Sequence, residues 1–349
     1  MEDTMQVGKN RTLLLSKTAH GFESGGVMNP AVISNGVGAH LLYRAVAADG
    51  CSSIGYCQLD SPTTIALRHD VPLLYPQHAY EDEGLEDPRV VLLDDTYVVS
   101  YTAYDGVNAM GAIALSPDLK NFTKLGIVVP QLSYKRFAHL ANMAGVINEK
   151  YKRFNLPHHA LEHAQGHELV WDKNLVCFPR RVDGKLVFLH RIKPDIQLAM
   201  VDDWADLTEH FWEEYLLRLH DHILMTPRYR HEVSYIGAGC PPIETAEGWL
   251  LIYHGVHDTP TGYVYVACAA LLHLQPPFTE LARLPYALFK PEADWELHGV
   301  VNNVCFPTGS LLVDDELFIY YGAADQHIAC ISFHLPTLLN ELLLYAVPQ

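Results

Sequence analysis

Residues 81–90, EDEGLEDPRV, place five carboxylates within seven positions and end on Asp87, Pro88 and Arg89. A carboxyl group acts as a general acid when burial raises its pKa, and binds sugar hydroxyls when cationic neighbours keep it ionised. Glu86 and Asp87 are adjacent on a predicted strand, so we expect them to point to opposite faces and only one to face a site. The alternative is that Glu81, Asp82 and Glu83 form a solvated loop and that Asp87 only pairs with Arg89.

The elements that position such groups follow from a recurring pattern of two apolar runs around a polar turn. It occurs in residues 29–45, 86–106, 174–191, 241–255 and 303–325, and each copy predicts a β-hairpin. We therefore predict an all-β fold, a five-bladed β-propeller in a single domain covering residues 1–349. A two-sheet sandwich is the competing architecture. In a propeller, polar residues at inner strand ends meet in one site, and five residues occupy near-equivalent positions here: Arg44, Asp87, Arg191, His254 and Asp325.

One region interrupts the repeat. Residues from about 131 to 171 have a helical and basic pattern, which predicts a mainly helical insertion between blades. We expect this insertion to cover a rim of the propeller or to form the subunit contact of a homo-oligomer. His163 and His167 have the spacing of a shared metal site, but no carboxylate or cysteine set completes it. We therefore expect surface histidines and no bound metal.

Composition excludes several classes of partner. The chain has 24 Lys plus Arg against 41 Asp plus Glu, a formal net charge of −17, which disfavours nucleic acid and anionic membranes. No segment has the length of a membrane span or the pattern of a signal peptide, so we expect a cytoplasmic protein. The seven cysteines form no CxxC pair, which predicts free thiols.

Several longer motifs carry a resemblance. GLEDPR, YTAYDG, FPRRVDGKLVFLHR, IGAGCPPIETAEGWLLIYHG and FPTGSLLVDDELFIYYGAAD occur in this order between about residues 29 and 329, and together they resemble glycoside hydrolase family 130. The resemblance implies a five-bladed propeller that cleaves β-mannosides with inversion. Most members are phosphorylases that release mannose 1-phosphate, and a smaller group are hydrolases that remove terminal β-1,2-linked mannose.

The resemblance also assigns roles to residues. Asp87 resembles the family's proton donor, which passes its proton through a sugar hydroxyl. The residues implied to hold the mannose are Asn29, Arg44 and Asp325, and those implied to hold phosphate are Lys173, Arg191, His254 and Tyr265. Two tyrosines near repeat ends, Tyr104 and Tyr321, either stack on sugar rings or pack in the core.

Two departures from the family pattern weaken the phosphate site. Tyr235 stands before the IGAG motif, where the phosphorylases usually carry Lys or Arg, and Asp-Lys-Asn at residues 172–174 replaces Asn-Lys-Asp. Losing one charge-assisted contact would cost about 1.5–3 kcal/mol of phosphate binding. In the hydrolases a carboxylate activates water, and Glu232 is a candidate for that base. Its alternative role is structural, paired with Arg228 or Arg230.

The leading prediction is therefore an inverting phosphorylase that cleaves β-mannosyl oligosaccharides with inorganic phosphate as co-substrate. An exo-acting β-1,2-mannosidase that uses water, with Glu232 as base, is the first alternative. A catalytically inactive glycan-binding propeller is the second. No Gly-rich nucleotide loop or calcium loop occurs in the sequence, so we expect no cofactor.

Overall fold

A computed structural model describes residues 9–34, 36, 38–143, 148–155, 168–276 and 278–347. Most of these residues lie in strands, which confirms the all-β prediction. The strands are β1 (Lys9–Ser16), β2 (Gly26–Ser34), β3 (Ala39–Val46), β4 (Ser52–Ser61), β5 (Thr64–Arg68), β6 (Gly84–Leu93), β7 (Thr96–Tyr104), β8 (Ala109–Ser116), β9 (Thr123–Ile127), β10 (Lys173–Cys177), β11 (Leu186–Arg191), β12 (Ile196–Val201), β13 (Ile223–Met225), β14 (Tyr235–Ala238), β15 (Ile243–Glu244), β16 (Trp249–Thr259), β17 (Gly262–Leu272), β18 (Glu280–Arg283), β19 (Cys305–Val313), β20 (Glu316–Ala323) and β21 (His327–His334). The helices are α1 (Tyr134–Met143), α2 (Glu149–Asn155), α3 (Glu209–Leu217), α4 (Asp294–Leu297) and α5 (Leu335–Leu343).

The strands form five antiparallel groups in chain order. The groups are β2 to β5, β6 to β9, β10 to β13, β14 with β16 to β18, and β19 to β21 completed by β1. The first two groups are joined by one parallel bridge between Ser52 and Gly84, and β15 adds a short strand to β16. In the fifth group the N-terminal strand β1 pairs with β21, so the two ends of the chain share one sheet.

The first strands of the groups lie near one another. Strand β2 packs beside β6 and β19, and β10 packs beside β6 and β14. Strand β19 also contacts β16 and β17 of the fourth group. Each group therefore contacts the next, and the fifth contacts the first.

The first strands of three groups contain the same β-bulge, in which two residues oppose one. The bulge pairs and the residues opposite them are Asn29 and Pro30 with Tyr43, Asp87 and Pro88 with Tyr101, and Asn174 and Leu175 with His190. The first residue of each pair is left-handed, with φ of 52°, 52° and 55°. Asn and Asp tolerate this conformation best among residues with a side chain. The bulge interrupts the alternation of the strand and turns a short polar side chain toward the meeting point of the groups.

Four of the groups share a second device, a fully buried glutamate in a short helical turn before the first strand. Each glutamate accepts a hydrogen bond from a tyrosine of the second strand and pairs with a cation of the outermost strand. The sets are Glu23 with Tyr43 and Arg68, Glu81 with Tyr101 and Lys124, Glu232 with Tyr253 and Arg283, and Glu296 with Tyr321 and Arg11. A buried carboxylate is tolerated only when it is paired and hydrogen-bonded in this way.

The third group differs at the equivalent place. His190 replaces the tyrosine, with Nδ1 2.7 Å from Asp172 Oδ2 and Nε2 2.8 Å from the Tyr215 hydroxyl. Tyr215 belongs to α3, a helix between β12 and β13 that the sequence analysis did not predict. In the third group a buried set of His190, Asp172 and Tyr215 thus replaces the set of tyrosine, glutamate and cation found in the other four groups.

Helices cover the third group. Helices α1 and α2 lie between β9 and β10, within the predicted insertion, and α1 packs on α3. Phe137, Leu140 and Tyr151 of these helices join Trp212 of α3 in one apolar cluster with strand residues. His163 and His167 lie outside the described residues.

Two expectations about the whole chain concern membranes and thiols. No helix in the described part of the chain has both the length and the apolar character needed to cross a membrane. All seven cysteines are free, and only Cys51 is not fully buried.

Replacing Tyr101 by Phe tests the role of the buried glutamates. The change removes the hydroxyl that donates to Glu81 Oε1 over 2.6 Å. We expect the free energy of unfolding to fall by about 1–3 kcal/mol, because a buried carboxylate loses a donor. Urea denaturation measures this loss. Tyr97→Phe on the same strand is the control, since the Tyr97 hydroxyl bonds to no described residue. Equal stability of the two variants would contradict the account.

Candidate active site

The bulges of β2 and β6 bring together the first two predicted site residues. Asn29 Nδ2 donates to Asp87 Oδ1 over 2.7 Å, and both residues are buried. Arg89 stabilises the backbone of the β6 bulge. Its Nη1 donates to the Asp87 carbonyl over 2.6 Å, and its Nε donates to the Gly239 carbonyl over 3.0 Å. The Asp87 side chain therefore has a fixed direction, and the simple surface pair with the Arg89 side chain does not form.

Glu86 and Asp87 both face this cluster, contrary to the expectation that they point to opposite faces. Arg44 donates Nη2 to Glu86 Oε1 over 2.8 Å, and its Nη1 lies 3.7 Å from Asp87 Oδ1. Lys173 Nζ donates to the other oxygen, Glu86 Oε2, over 2.9 Å. The left-handed backbone at Asp87 explains the error, because strand alternation does not continue through a bulge.

The charge of Asp87 is set by opposing effects. Burial raises the pKa of this carboxyl, whereas the charges of Arg44, Lys173 and Arg89 and the hydrogen bond from Asn29 lower it. The lowering effects together are larger, so the pKa of Asp87 lies below its usual range. Without a ligand Asp87 is therefore ionised at neutral pH. It can act as a proton donor only when a bound ligand offsets the field of the cations.

Asp325 is the third carboxylate of this cluster, after Glu86 and Asp87. It lies in the β20 to β21 turn in a left-handed conformation. Burial raises its pKa to about 6, with Arg44 opposing the shift and Asp87 and Glu86 adding to it. Asp87 and Asp325 thus have different proton affinities within one site.

A positively charged side of the site comes from the third and fourth groups. Arg191 Nη1 donates to His254 Nε2 over 3.2 Å, and the Arg191 guanidinium lies 5.3 Å from the centre of the Tyr235 ring. Burial and the charges of Arg191 and Arg89 hold the pKa of His254 well below its usual value. His254 is therefore neutral, and its Nε2 accepts a hydrogen bond from the guanidinium.

Tyr265 completes this side. Its hydroxyl lies 2.5 Å from the hydroxyl of Tyr235, which is buried against Arg191. The structure therefore brings Lys173, Arg191, His254 and Tyr265 to the same end of the molecule as Asp87.

Several positioning residues escaped the sequence analysis. Asp172 accepts from the Arg191 backbone N–H at Oδ1 over 3.1 Å while its Oδ2 contacts His190, so it fixes the strand ends that carry Lys173 and Arg191. Lys193 lies with its Nζ 4.0 Å from the centre of the Tyr235 ring. The sequence does contain a signal for the repeated glutamates, because Glu23 lies as many residues before Asn29 as Glu81 lies before Asp87.

A cavity of about 780 Å³ opens beside Arg191 and Lys193. Tyr104 lines it, donates its hydroxyl to the Gly106 carbonyl, and meets the ring of Trp171 edge to face. Tyr104 thus lies where a sugar ring could contact it. Tyr321 cannot contact a sugar in this way, because it is fully buried and its hydroxyl donates to Glu296. Its position corresponds to the alternative of packing in the core.

Glu232 occupies a structural position. It has no exposed surface, accepts from the backbone N–H groups of Arg228 and Tyr229, and receives the Tyr253 hydroxyl and Arg283. The expected ion pair with the Arg228 or Arg230 side chain is replaced by Arg283. Glu232 is one of the four repeated glutamates, and its occupied oxygens argue against a role in activating water.

The same contacts bear on metal binding. His231, Glu232 and Cys268 have potential ligand atoms within 4.8 Å of one another. The ion pair with Arg283 satisfies the Glu232 charge that a metal would need, so this group does not indicate a metal site.

Comparison with known proteins identifies the family. The model of glycoside hydrolase family 130, described as beta-1,4-mannooligosaccharide phosphorylase, matches residues 17–343. The chain belongs to this family. A family 130 relative, the beta-1,2-mannobiose phosphorylase of Thermoanaerobacter sp. (strain X514), is 31% identical over 339 residues, covering 91% of this chain and 93% of the relative. The beta-1,4-mannooligosaccharide phosphorylase of Ruminococcus albus is 35% identical over 173 residues, covering 48% of this chain and 49% of the relative.

Solved structures share the fold. The beta-1,2-mannobiose phosphorylase from Listeria innocua, in complex with beta-1,2-mannobiose, has a TM-score of 0.68 at 22% identity and covers 97% of this chain and 95% of its own. A second structure has a TM-score of 0.71 at 22% identity, with 96% and 97% coverage. It is described as showing that the family of mannoside phosphorylases contains glycoside hydrolases that target beta-1,2 mannosidic linkages in Candida mannan.

Replacing Glu232 by Gln separates a structural role from a catalytic one. We expect a loss of about 1–3 kcal/mol in the free energy of unfolding with an unchanged turnover number, because the carboxylate acts only in packing. Thermal denaturation and initial rates measure the two effects. Glu81→Gln, the equivalent change in the second group, is the matched control and should behave alike. A loss of turnover of roughly 10²- to 10⁴-fold without loss of stability would identify Glu232 as a base.

Proposed function

We propose that this chain is an inverting β-mannoside phosphorylase, which cleaves a β-mannosyl oligosaccharide with inorganic phosphate and releases mannose 1-phosphate. The observation that carries the proposal is the pair of cations Arg191 and Lys193, which line one cavity, and the charge of Asp87 acts on Arg191. Neither forms an ion pair with a carboxylate of the described residues. A desolvated cation without an anionic partner is costly, and a phosphate dianion is a ligand that would satisfy both cations.

The composition of the site also favours phosphate over water. An inverting hydrolase needs a carboxylate base to activate water on the face opposite the acid. Glu232 is bound to Arg283, and Glu86 is bound to Arg44 and Lys173. Phosphate is itself a nucleophile and needs no base. The names of the Thermoanaerobacter, Listeria and Ruminococcus relatives, all phosphorylases of β-mannosides, agree with this assignment.

In the proposed mechanism Asn29, Arg44 and Asp325 hold the mannose to be transferred by hydrogen bonds to its hydroxyls. Lys173, Arg191, His254 and Tyr265 hold phosphate below the anomeric carbon and align it for attack. Tyr104 contacts the sugar on the leaving side.

Phosphate binding also prepares the acid in this mechanism. Lys173 lowers the pKa of Asp87, and a dianion bound beside Lys173 and Arg191 opposes that effect. The pKa of Asp87 therefore rises when phosphate binds, and Asp87 gains the proton that it passes through a sugar hydroxyl to the glycosidic oxygen. Cleavage without phosphate is suppressed, because Asp87 then stays ionised.

The proposal includes the architecture around the site. The five strand groups are the blades of a propeller, in a single domain, with β1 completing the fifth blade. The cyclic order of contacts among the groups supports this arrangement over a two-sheet sandwich. We further propose that the enzyme is cytoplasmic and needs no cofactor. We also propose that it forms a homo-oligomer through the helical insertion, and analytical ultracentrifugation of the full chain would test this association.

Product analysis tests the reaction type. With β-1,2- or β-1,4-mannobiose we expect mannose 1-phosphate to form only when phosphate is present, because phosphate is both nucleophile and activator. Anion-exchange chromatography separates the products. Free mannose released at one rate with and without phosphate would establish a hydrolase. No product in any reaction, despite sugar binding, would favour a glycan-binding protein.

Asp87→Asn tests the proton donor. Turnover should fall by roughly 10²- to 10⁴-fold while mannobiose still binds, because the amide cannot supply the proton. Asp95→Asn is the control, since Asp95 lies exposed in the turn of the same hairpin with φ of 59°, which asparagine tolerates. Initial rates and calorimetric binding measure the two properties. Full activity of Asp87→Asn would contradict the assignment.

A further inference from the structure

Lys193 follows the end of β11 and has an unusual environment. Its Nζ lies 4.0 Å from the centre of the Tyr235 ring and 5.9 Å from that of Phe154 on α2. The Asn155 side chain donates to its backbone carbonyl over 2.9 Å, so the segment is fastened to the insertion. The ammonium is thus held between an aromatic ring of the fourth group and one of the insertion.

No anionic group balances this ammonium. Within the described residues it has no carboxylate partner and no hydrogen-bond acceptor, and its contacts are with the two rings. The charges that act on it are those of Arg191 and Lys173, which repel it, and neutral His254 and Tyr235 lie beside Arg191. The other charged residues that line the same cavity are Lys150, Arg153, Glu168 and Asp258. Burial and the repulsion from Arg191 and Lys173 lower the pKa of Lys193 to about 7.

An anionic ligand would stabilise the charged form of this lysine. The attraction of a cation–π contact is small beside the cost of placing an ammonium near two other cations out of water. Lys193 and Arg191 both line the 780 Å³ cavity, so a dissolved anion can reach them. A dianion between them would remove the repulsion and give each cation a charge-assisted hydrogen bond.

We infer that Lys193 binds the attacking phosphate together with Arg191, with the Tyr235 ring holding its ammonium in place. The inference rests on the phosphorolysis proposed above. It gives Tyr235 a role as the aromatic support of a cation that comes from the neighbouring strand group.

Kinetics of Lys193→Met and Lys193→Arg test the inference. In Lys193→Met we expect the KM for phosphate to rise about 10- to 100-fold, with the KM for mannobiose unchanged, because one charge-assisted contact is lost only from phosphate. Lys193→Arg should recover most of the affinity, since it keeps the charge. Lys152→Met is the matched control, since Lys152 is exposed on α2 and its ion pair among the described residues is with Glu149.

The pH dependence gives a second measure. A lysine is charged below its pKa, so the wild-type KM for phosphate should rise as the pH increases above about 7. The Lys193→Arg variant should lack this rise, because a guanidinium stays protonated. An identical pH profile in both proteins would overturn the inference.

Calorimetric binding of inorganic phosphate without sugar separates this inference from the proposed function. Phosphate binding by the wild type that Lys193→Met weakens supports the Lys193 site, even if no mannose 1-phosphate forms and the proposed reaction fails. Phosphate binding that Lys193→Met leaves unchanged overturns the inference while the reaction stands. Absence of phosphate binding in the wild type contradicts both. An equal rise of both KM values in Lys193→Met also overturns the inference, because it indicates general distortion.

Discussion

The buried glutamates are the interaction on which the rest of the structure depends. Each one joins the turn before a first strand to a tyrosine of the second strand and to a cation of the outermost strand, so it spans a whole strand group. A charge that has left water must keep these partners, which makes the alignment of the strands unique. The copy in the fifth strand group uses Arg11 of β1, so the N-terminal strand is held by the same interaction. The site can be precise because strand ends that are fixed in this way meet there.

The bulges in the first strands bring polar side chains together at the site. Asn29 and Asp87 are left-handed residues in equivalent bulges, and their side chains form the hydrogen bond at the centre of the cluster. Around them, cations from different groups divide between two tasks. Arg44 and Lys173 bind Glu86, while Arg191 has no carboxylate partner among the described residues. The Arg191 side chain thus remains able to pair with an anion.

The sequence predicted the strands well, because alternation and Asp-Gly or Asp-Asp turns are local signals. It also identified Asp87, Asn29 and Arg44, which the structure brings together. Strand alternation failed at Glu86, because a bulge reverses the rule and is not visible in a single sequence. The structural alternative for Glu232 named Arg228 or Arg230 as its partner, because the partner in the structure, Arg283, is distant in sequence. Lys193 was overlooked for a similar reason, since its support Tyr235 belongs to another strand group.

The reverse reaction tests the central claim, inverting transfer between a β-mannoside and phosphate, most directly. The enzyme would be incubated with mannose as acceptor and with either the α or the β anomer of mannose 1-phosphate, and phosphate release would be followed over time. Inversion of a β-mannoside gives the α anomer, so the account predicts phosphate release and mannobiose formation from that anomer alone. Reaction of the β anomer, or of neither in an enzyme that still hydrolyses mannobiose, would contradict it.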